Sequence, residues 1–264
     1  MTSLSKKYLK LLIRVVLSII LIVTIYILTL LFPQFLFSYS ITKKNLTIYS
    51  DTPIPEEFDI CMKQVMRRIN RSAFYDSTDT YRVFICNSKW RFYYFATIKY
   101  NTGGINYSFL NRNSFIRPSD MSHNRLYSPS TGLPISGDRT LTYFISHEVA
   151  HGMTGAKIGR WRLWKEPLWK VEGYADYIGK GVTNFDSYLK KFKNHDREMD
   201  WKTSGLYCEF HLMVAYLLDK KDISQKELFY KDINEGQIRQ ELYQLKSTPD
   251  KVIHERYFAS AYRK

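Results

Sequence analysis

The apolar positions change their period along the chain, and each change marks a predicted element. Val15 to Phe32 reads VVLSIILIVTIYILTLLF, 18 uncharged residues that are apolar on every helical face. From Glu56 to Asn70 the apolar residues Phe58, Cys61, Met62, Val65, Met66 and Ile69 fall on one stripe, which predicts an amphipathic helix. YRVFIC at 81–86 is apolar apart from Arg82 and reads as a buried strand. SKWRFYYFAT at 88–97 fits a short helix with Ser88 as its cap, stopped by Gly103-Gly104. INYSFL at 105–110 and SFIR at 114–117 read as two strands of a hairpin joined through Asn-Arg-Asn. Residues 33–54 read as a connector with a short strand, LTIYS, at 46–50. Residues 118–138 read as a long loop rich in Pro, Ser and Gly.

The second half is helical in pattern. Asp138 is the expected cap of a helix over 139–154, where Leu141, Phe144, Ile145, Val149 and Ala150 keep helical spacing. Pro167 opens the next helix, which runs to about Gly179 with Gly181 as its stop. Further helices are expected at 184–194, 204–220, 224–230 and 235–246, with Ser224 and Glu227 forming a capping box. The order predicts an α+β domain: a small mixed sheet with helices in an N-terminal lobe, then a helical C-terminal lobe. The expected divisions are 1–10 as a cytoplasmic N-terminus and 11–32 as a transmembrane signal-anchor helix. A connector over 33–54 leads to one domain over 55–264, split into lobes 55–155 and 156–264.

As a helix, Val15–Phe32 rises about 27 Å, close to the thickness of a bilayer's hydrocarbon core. A cleaved signal peptide is the competing reading, but its apolar run is shorter and ends in a small-residue site, which FPQFLFSYS lacks. Lys6, Lys7, Lys10 and Arg14 precede the run, and only Lys43 and Lys44 follow it closely. By the positive-inside rule the N-terminus stays cytoplasmic and the domain lies on the other side.

The net charge of +14 is spread along the chain, and no nucleic-acid module accompanies it, so nucleic acid is not an expected partner. A solvated basic surface is the plain reading, with an anionic lipid or cell-wall surface next. Cys61, Cys86 and Cys208 have no metal spacing. They leave two readings open: one bridge, for which Cys61 with Cys86 is the better pair, or three buried free thiols.

Residues 147–151 read HEVAH. In a helix His147 and His151 project from one face, one turn apart, and can share one Zn²⁺. Glu148 can then take a proton from a water that the metal activates. The plain alternative is a surface helix with two solvated histidines, and a third ligand decides between them. Glu172, in PLWKVEGYADYIGKG, is the candidate, on the separate helix that Pro167 opens. Asp176 lies one turn further on, placed to accept the second ring N–H of a ligating histidine.

HEVAH followed by EGYAD resembles the thermolysin-like zinc peptidases, the gluzincins, and PLWKVEGYADY is similar to peptidase-MA-like families. The resemblance covers about residues 139–220. It implies His147, His151 and Glu172 as ligands, Glu148 as general base and Asp176 as the residue orienting a ligand. It also implies a zincin-like fold whose sheet edge pairs with an extended substrate, for which SFIR is the candidate; a plain hairpin strand is the equal alternative. A Tyr or His of the helical lobe is expected to stabilise the oxyanion. Tyr207 is the first candidate and His211 the second, while His123, His195 and His254 read as surface residues. No GxMEN-type element is present, which favours an endopeptidase over an aminopeptidase.

The expected function is a membrane-anchored zinc peptidase acting on a peptide or protein substrate. HEVAH lies far beyond the apolar run, so an intramembrane protease is excluded. The alternatives are a catalytically silent binding or scaffold protein of the same fold, and a structural helical protein with a chance motif.

Overall fold

A computed structural model describes residues 3–135 and 137–245. Helix α1 (Ser3–Leu31) contains the apolar run and is long and apolar enough to cross a membrane. After a short 3-10 turn come strands β1 (Tyr39–Lys43) and β2 (Leu46–Ser50), helix α2 (Phe58–Ile69), strand β3 (Tyr81–Ile85) and helix α3 (Lys89–Ala96). Strands β4 (Gly104–Asn106) and β5 (Asn113–Ile116) follow, then a small pair, β6 (Ser119–Asp120) and β7 (Arg125–Leu126). The remainder is helical: α4 (Leu141–Ile158), α5 (Arg160–Lys165), α6 (Leu168–Lys180), α7 (Phe185–Lys193), α8 (Trp201–Ser204), α9 (Cys208–Asp219), α10 (Gln225–Tyr230) and α11 (Glu235–Gln244). The fold is α+β with a mixed sheet.

The sheet order is β1-β2-β3-β5-β4. The two outer pairs, β1/β2 and β5/β4, are antiparallel; β2/β3 and β3/β5 are parallel. Side chains alternate across a strand, and here both faces of the sheet are covered. Val83 and Ile85 enter the main core with α2, α4 and the helical lobe. Phe84 enters a second core on the opposite face, with Phe92, Phe95 and Phe115. That two-sided burial is why YRVFIC carries no polar alternation. In the second core Phe84, Phe115 and Phe95 stack in series, with ring centroids 5.4 and 4.2 Å apart.

Several expectations need correction. Residues 33–54 are no free connector, because β1 and β2 belong to the sheet. SFIR lies in β5, which is flanked by β3 and β4; the edge on this side is β4. INYSFL forms a strand only at its start, since residues 107–112 are needed to turn the chain back. The cap of α4 is Thr140, whose hydroxyl accepts from the Tyr143 amide, not Asp138. Ser88 sits at the start of α3 but makes no capping bond there; Asp51 accepts from the Asn87 and Ser88 amides instead. The loop 118–138 contains the β6/β7 pair. The capping box of Ser224 and Glu227 is present, and α6 ends at Gly181, whose φ of 77° suits glycine. The expected last residue of the final helix, 246, lies outside the described residues.

All three cysteines are free and buried. Cys61 belongs to the core on one face of the sheet and Cys86 to the core on the other, so the sheet separates them and no bridge forms. Burial pushes the Cys61 thiol up to about 12 and the Cys86 thiol well above its usual range. Ellman's reagent is expected to titrate no thiol in the native protein and all three after denaturation. A native thiol that reacts promptly contradicts this packing.

Candidate metal centre

The centre is built where α4 and α6 cross. α4 lies against β4 and β5 on one side, α2 on another and α6 on a third. α6 in turn packs on α9, and it does so at backbone range: a Cβ on Gly173 would stand 2.5 Å from the Phe210 carbonyl oxygen. Only glycine allows that approach, and it presents the next helical face, with Glu172 and Asp176, to α4.

His147 Nε2 and His151 Nε2 stand 3.1 Å apart. Glu172 Oε2 lies 3.3 Å from the first and 3.6 Å from the second. Atoms that bind one zinc ion tetrahedrally at about 2.0–2.1 Å are separated from each other by roughly 3.3 Å. The three donors therefore already occupy three corners of such a tetrahedron and can hold a metal ion. The carboxylates of Asp176 and Glu172 draw the His147 imidazole up to about 10 against the cost of burial. The same pull toward positive charge at that point suits a divalent cation.

Asp176 sits behind His147, with Oδ1 3.2 Å from Nδ1, off the line of a well-formed hydrogen bond. The Tyr143 hydroxyl donates to the same oxygen, and Lys180 Nζ lies 2.9 Å from the other. Burial opposes ionisation of Asp176, but Lys180 and His147 outweigh it and hold the carboxyl far below its usual range. A buried carboxylate so partnered fixes the ring of His147 in place.

Glu148 is 7% exposed, and its side chain lies directly beneath β4. A Cβ on Gly104 would meet Glu148 Cγ at 2.7 Å and Ile116 Cδ1 at 2.8 Å, so a larger residue there would displace one of these side chains. Among the described residues Glu148 makes no hydrogen bond or ion pair. Burial raises its pKa, and His147 and His151 oppose the rise. The result is a carboxylate held at the donor set with its own hydrogen-bonding capacity unspent.

Tyr207 stands at the start of α9, with its ring parallel to that of His147 and 6.4 Å from it. Burial, then Glu172, Glu148 and Asp176, push its hydroxyl above the ordinary phenol range, so it stays a donor. His211 is fully buried and bonded through Nε2 to Thr183, 2.9 Å away, and burial with Lys180 lowers it to about 3. It belongs to the packing of α9. His123 and His195 are exposed, and His254 lies outside the described residues.

The structure thus brings together His147, Glu148, His151, Glu172, Asp176 and Tyr207. It adds Tyr143 and Lys180, which sequence reading missed. Lys180 carried a direct signal, four residues after the Asp176 it pairs with, whereas Tyr143 lies one turn before His147 on the same face but bonds Asp176 across the helix crossing. It also adds Arg139, whose guanidinium lies over the rings of Tyr143 and Phe144. Neither a family model, nor a curated protein, nor a solved structure matches this chain.

Glu172 would share an ion directly, whereas Asp176 would act on it only through His147. Glu172→Ala is expected to abolish metal retention at concentrations where Asp176→Asn keeps it with affinity lowered roughly 10–100-fold. Competition against a chromophoric chelator measures both, and equal losses contradict the assignment.

Proposed function

We propose that this chain is a membrane-anchored zinc metallopeptidase of zincin-like fold, with its catalytic domain on the non-cytoplasmic side. The observation that carries the reading is the convergence of His147, His151 and Glu172 on one point, beside an otherwise unpartnered Glu148. A His-His-Glu set is a known catalytic zinc set that leaves one position open. The anchor is α1, and the basic residues ahead of its apolar run favour a cytoplasmic N-terminus.

The substrate is an extended polypeptide. β4 is the free edge of the sheet on the side that covers Glu148, and an extended chain can add to that edge through main-chain bonds. Zinc, when bound, supplies Lewis-acid activation of a water and of the scissile carbonyl. Glu148 takes the proton of the attacking water as its oxygen bonds to the carbonyl carbon. The C–N bond then breaks, and Glu148 delivers that proton to the departing amine nitrogen. The Tyr207 hydroxyl donates to the carbonyl oxygen as it gains negative charge. Asp176, with Lys180 and Tyr143 behind it, keeps the His147 ring oriented, with Nδ1 toward Asp176 and Nε2 toward Glu172.

Two substitutions test these roles. Glu148→Gln is expected to retain fold and equimolar zinc while peptide hydrolysis falls by about 10²–10⁴-fold. Tyr207→Phe is expected to lower kcat by about 10²–10³-fold with little change in KM. Cleavage of a peptide library, with zinc content measured on the same samples, reads both. A Glu148→Gln protein of full activity contradicts the mechanism. A zinc-loaded wild type that cleaves no peptide favours a silent scaffold instead.

A further inference from the structure

The last two turns of α1 are not free of the domain. The Tyr94 hydroxyl pairs with the Thr29 hydroxyl at 2.7 Å, and the Tyr94 ring meets that of Tyr26 edge-on at 5.4 Å. Asn111 Nδ2 donates to the Leu30 carbonyl at 2.8 Å; Asn113 Nδ2 donates to the same oxygen at 2.9 Å. Leu30 itself is buried in the second core. At 1.5 Å per residue, Tyr26 to Leu31 covers only about 7 Å along the helix axis. Whatever touches that stretch stands at the depth where a spanning helix leaves the bilayer.

Three segments of the domain meet at this depth. α3 supplies Tyr94, and the 107–112 turn supplies Asn111. The Tyr107 hydroxyl donates to the Phe95 carbonyl at 2.7 Å, which ties that turn to α3. α5 is tied to the same turn, because Arg160 Nη1 donates to the Ser108 carbonyl at 2.7 Å.

These segments and the exit of α1 carry every exposed phenylalanine and tryptophan among the described residues: Phe32, Phe35, Trp90, Phe109, Trp161 and Trp164. Single exposed apolar residues are ordinary on a protein surface, whereas large aromatics gathered around one point are not. On α5, RWRLWK buries Leu163 and leaves Trp161 and Trp164 each 66% exposed, with rings stacked 4.9 Å apart and Lys165 over Trp161. Arg91 lies over Trp90 but is paired with Asp51 at 2.7 Å, so Lys165 is the cationic group of these two that is free to meet lipid. Indole rings beside cationic groups suit the headgroup layer, where the ring sits in the apolar boundary and the charge meets anionic lipid.

We infer that this face, made by α3, the 107–112 turn and α5, lies in the headgroup layer of the same membrane that α1 crosses. The inference rests on α1 being a span. It is continuous with that span through the contacts of Tyr94, Asn111 and Asn113. The occupant of the face is therefore lipid.

The test uses the full chain reconstituted in phosphatidylcholine–phosphatidylglycerol vesicles. α1 contains no tryptophan, so tryptophan fluorescence reports the domain alone. Lipids brominated near the headgroup are expected to quench that fluorescence more than lipids brominated near the chain ends. A variant combining Trp90→Phe, Trp161→Phe and Trp164→Phe is expected to lose most of the quenching, while Trp201→Phe keeps it. Alkaline carbonate extraction of the same vesicles separates the two ways of failing. Protein that resists extraction but shows no quenching stands clear of the bilayer, which overturns the proposal and leaves the span intact. Protein that is extracted overturns the span, and the proposal with it.

Discussion

Two side chains from α4 and one from α6 must meet at a single buried point, and the rest of the domain serves that crossing. Helices normally keep a side chain's length between their backbones. Here α6 is seated on α9 at Gly173, and Gly179 of α6 faces α4, where a Cβ would stand 3.1 Å from that of His147. The close crossing brings buried charge with it. Asp176 is 1% exposed and is answered from α4 by Tyr143 and His147 and from its own helix by Lys180. Leaving such a charge without its partner costs about 3–5 kcal/mol, so the crossing is held by electrostatics as well as by packing. The sheet closes the site from the other side by laying β4 over Glu148.

What the sequence shows of this arrangement is what local spacing can show. His147 and His151 share a face because a helix repeats every 3.6 residues or so, and Glu172 and Asp176 share one for the same reason. That the two faces meet is a tertiary fact, and only the wording of EGYAD after HEVAH hints at it. Lys180 follows the same spacing and was within reach. Gly104 was not, since a Gly-Gly pair marks a break in the chain and says nothing about the carboxylate beneath it.

The sheet shows the same limit. β2, β3 and α2 announce themselves through apolar runs or stripes. β1, YSITK, is largely exposed, carries no such run, and so passed for linker. The position of β5 between β3 and β4 depends on a parallel pairing with a strand some thirty residues earlier, which no local pattern encodes. α5 was missed because six residues with one buried leucine fall below the length at which periodicity speaks.

β4 ends one residue before the turn that grips Leu30, so the strand beside Glu148 and the end of α1 are neighbours in the fold. The second core makes that literal, since Leu30 and Phe37 pack among Phe84, Phe95 and Phe115. During synthesis Leu30 and Phe37 emerge first, and the rings that cover them come much later in the chain. The contacts that bury the end of α1 are therefore complete only once Phe84, Phe95 and Phe115 have all been made. A chain cut between Phe37 and Phe84 would separate Leu30 and Phe37 from the rings of Phe84, Phe95 and Phe115 that they pack against.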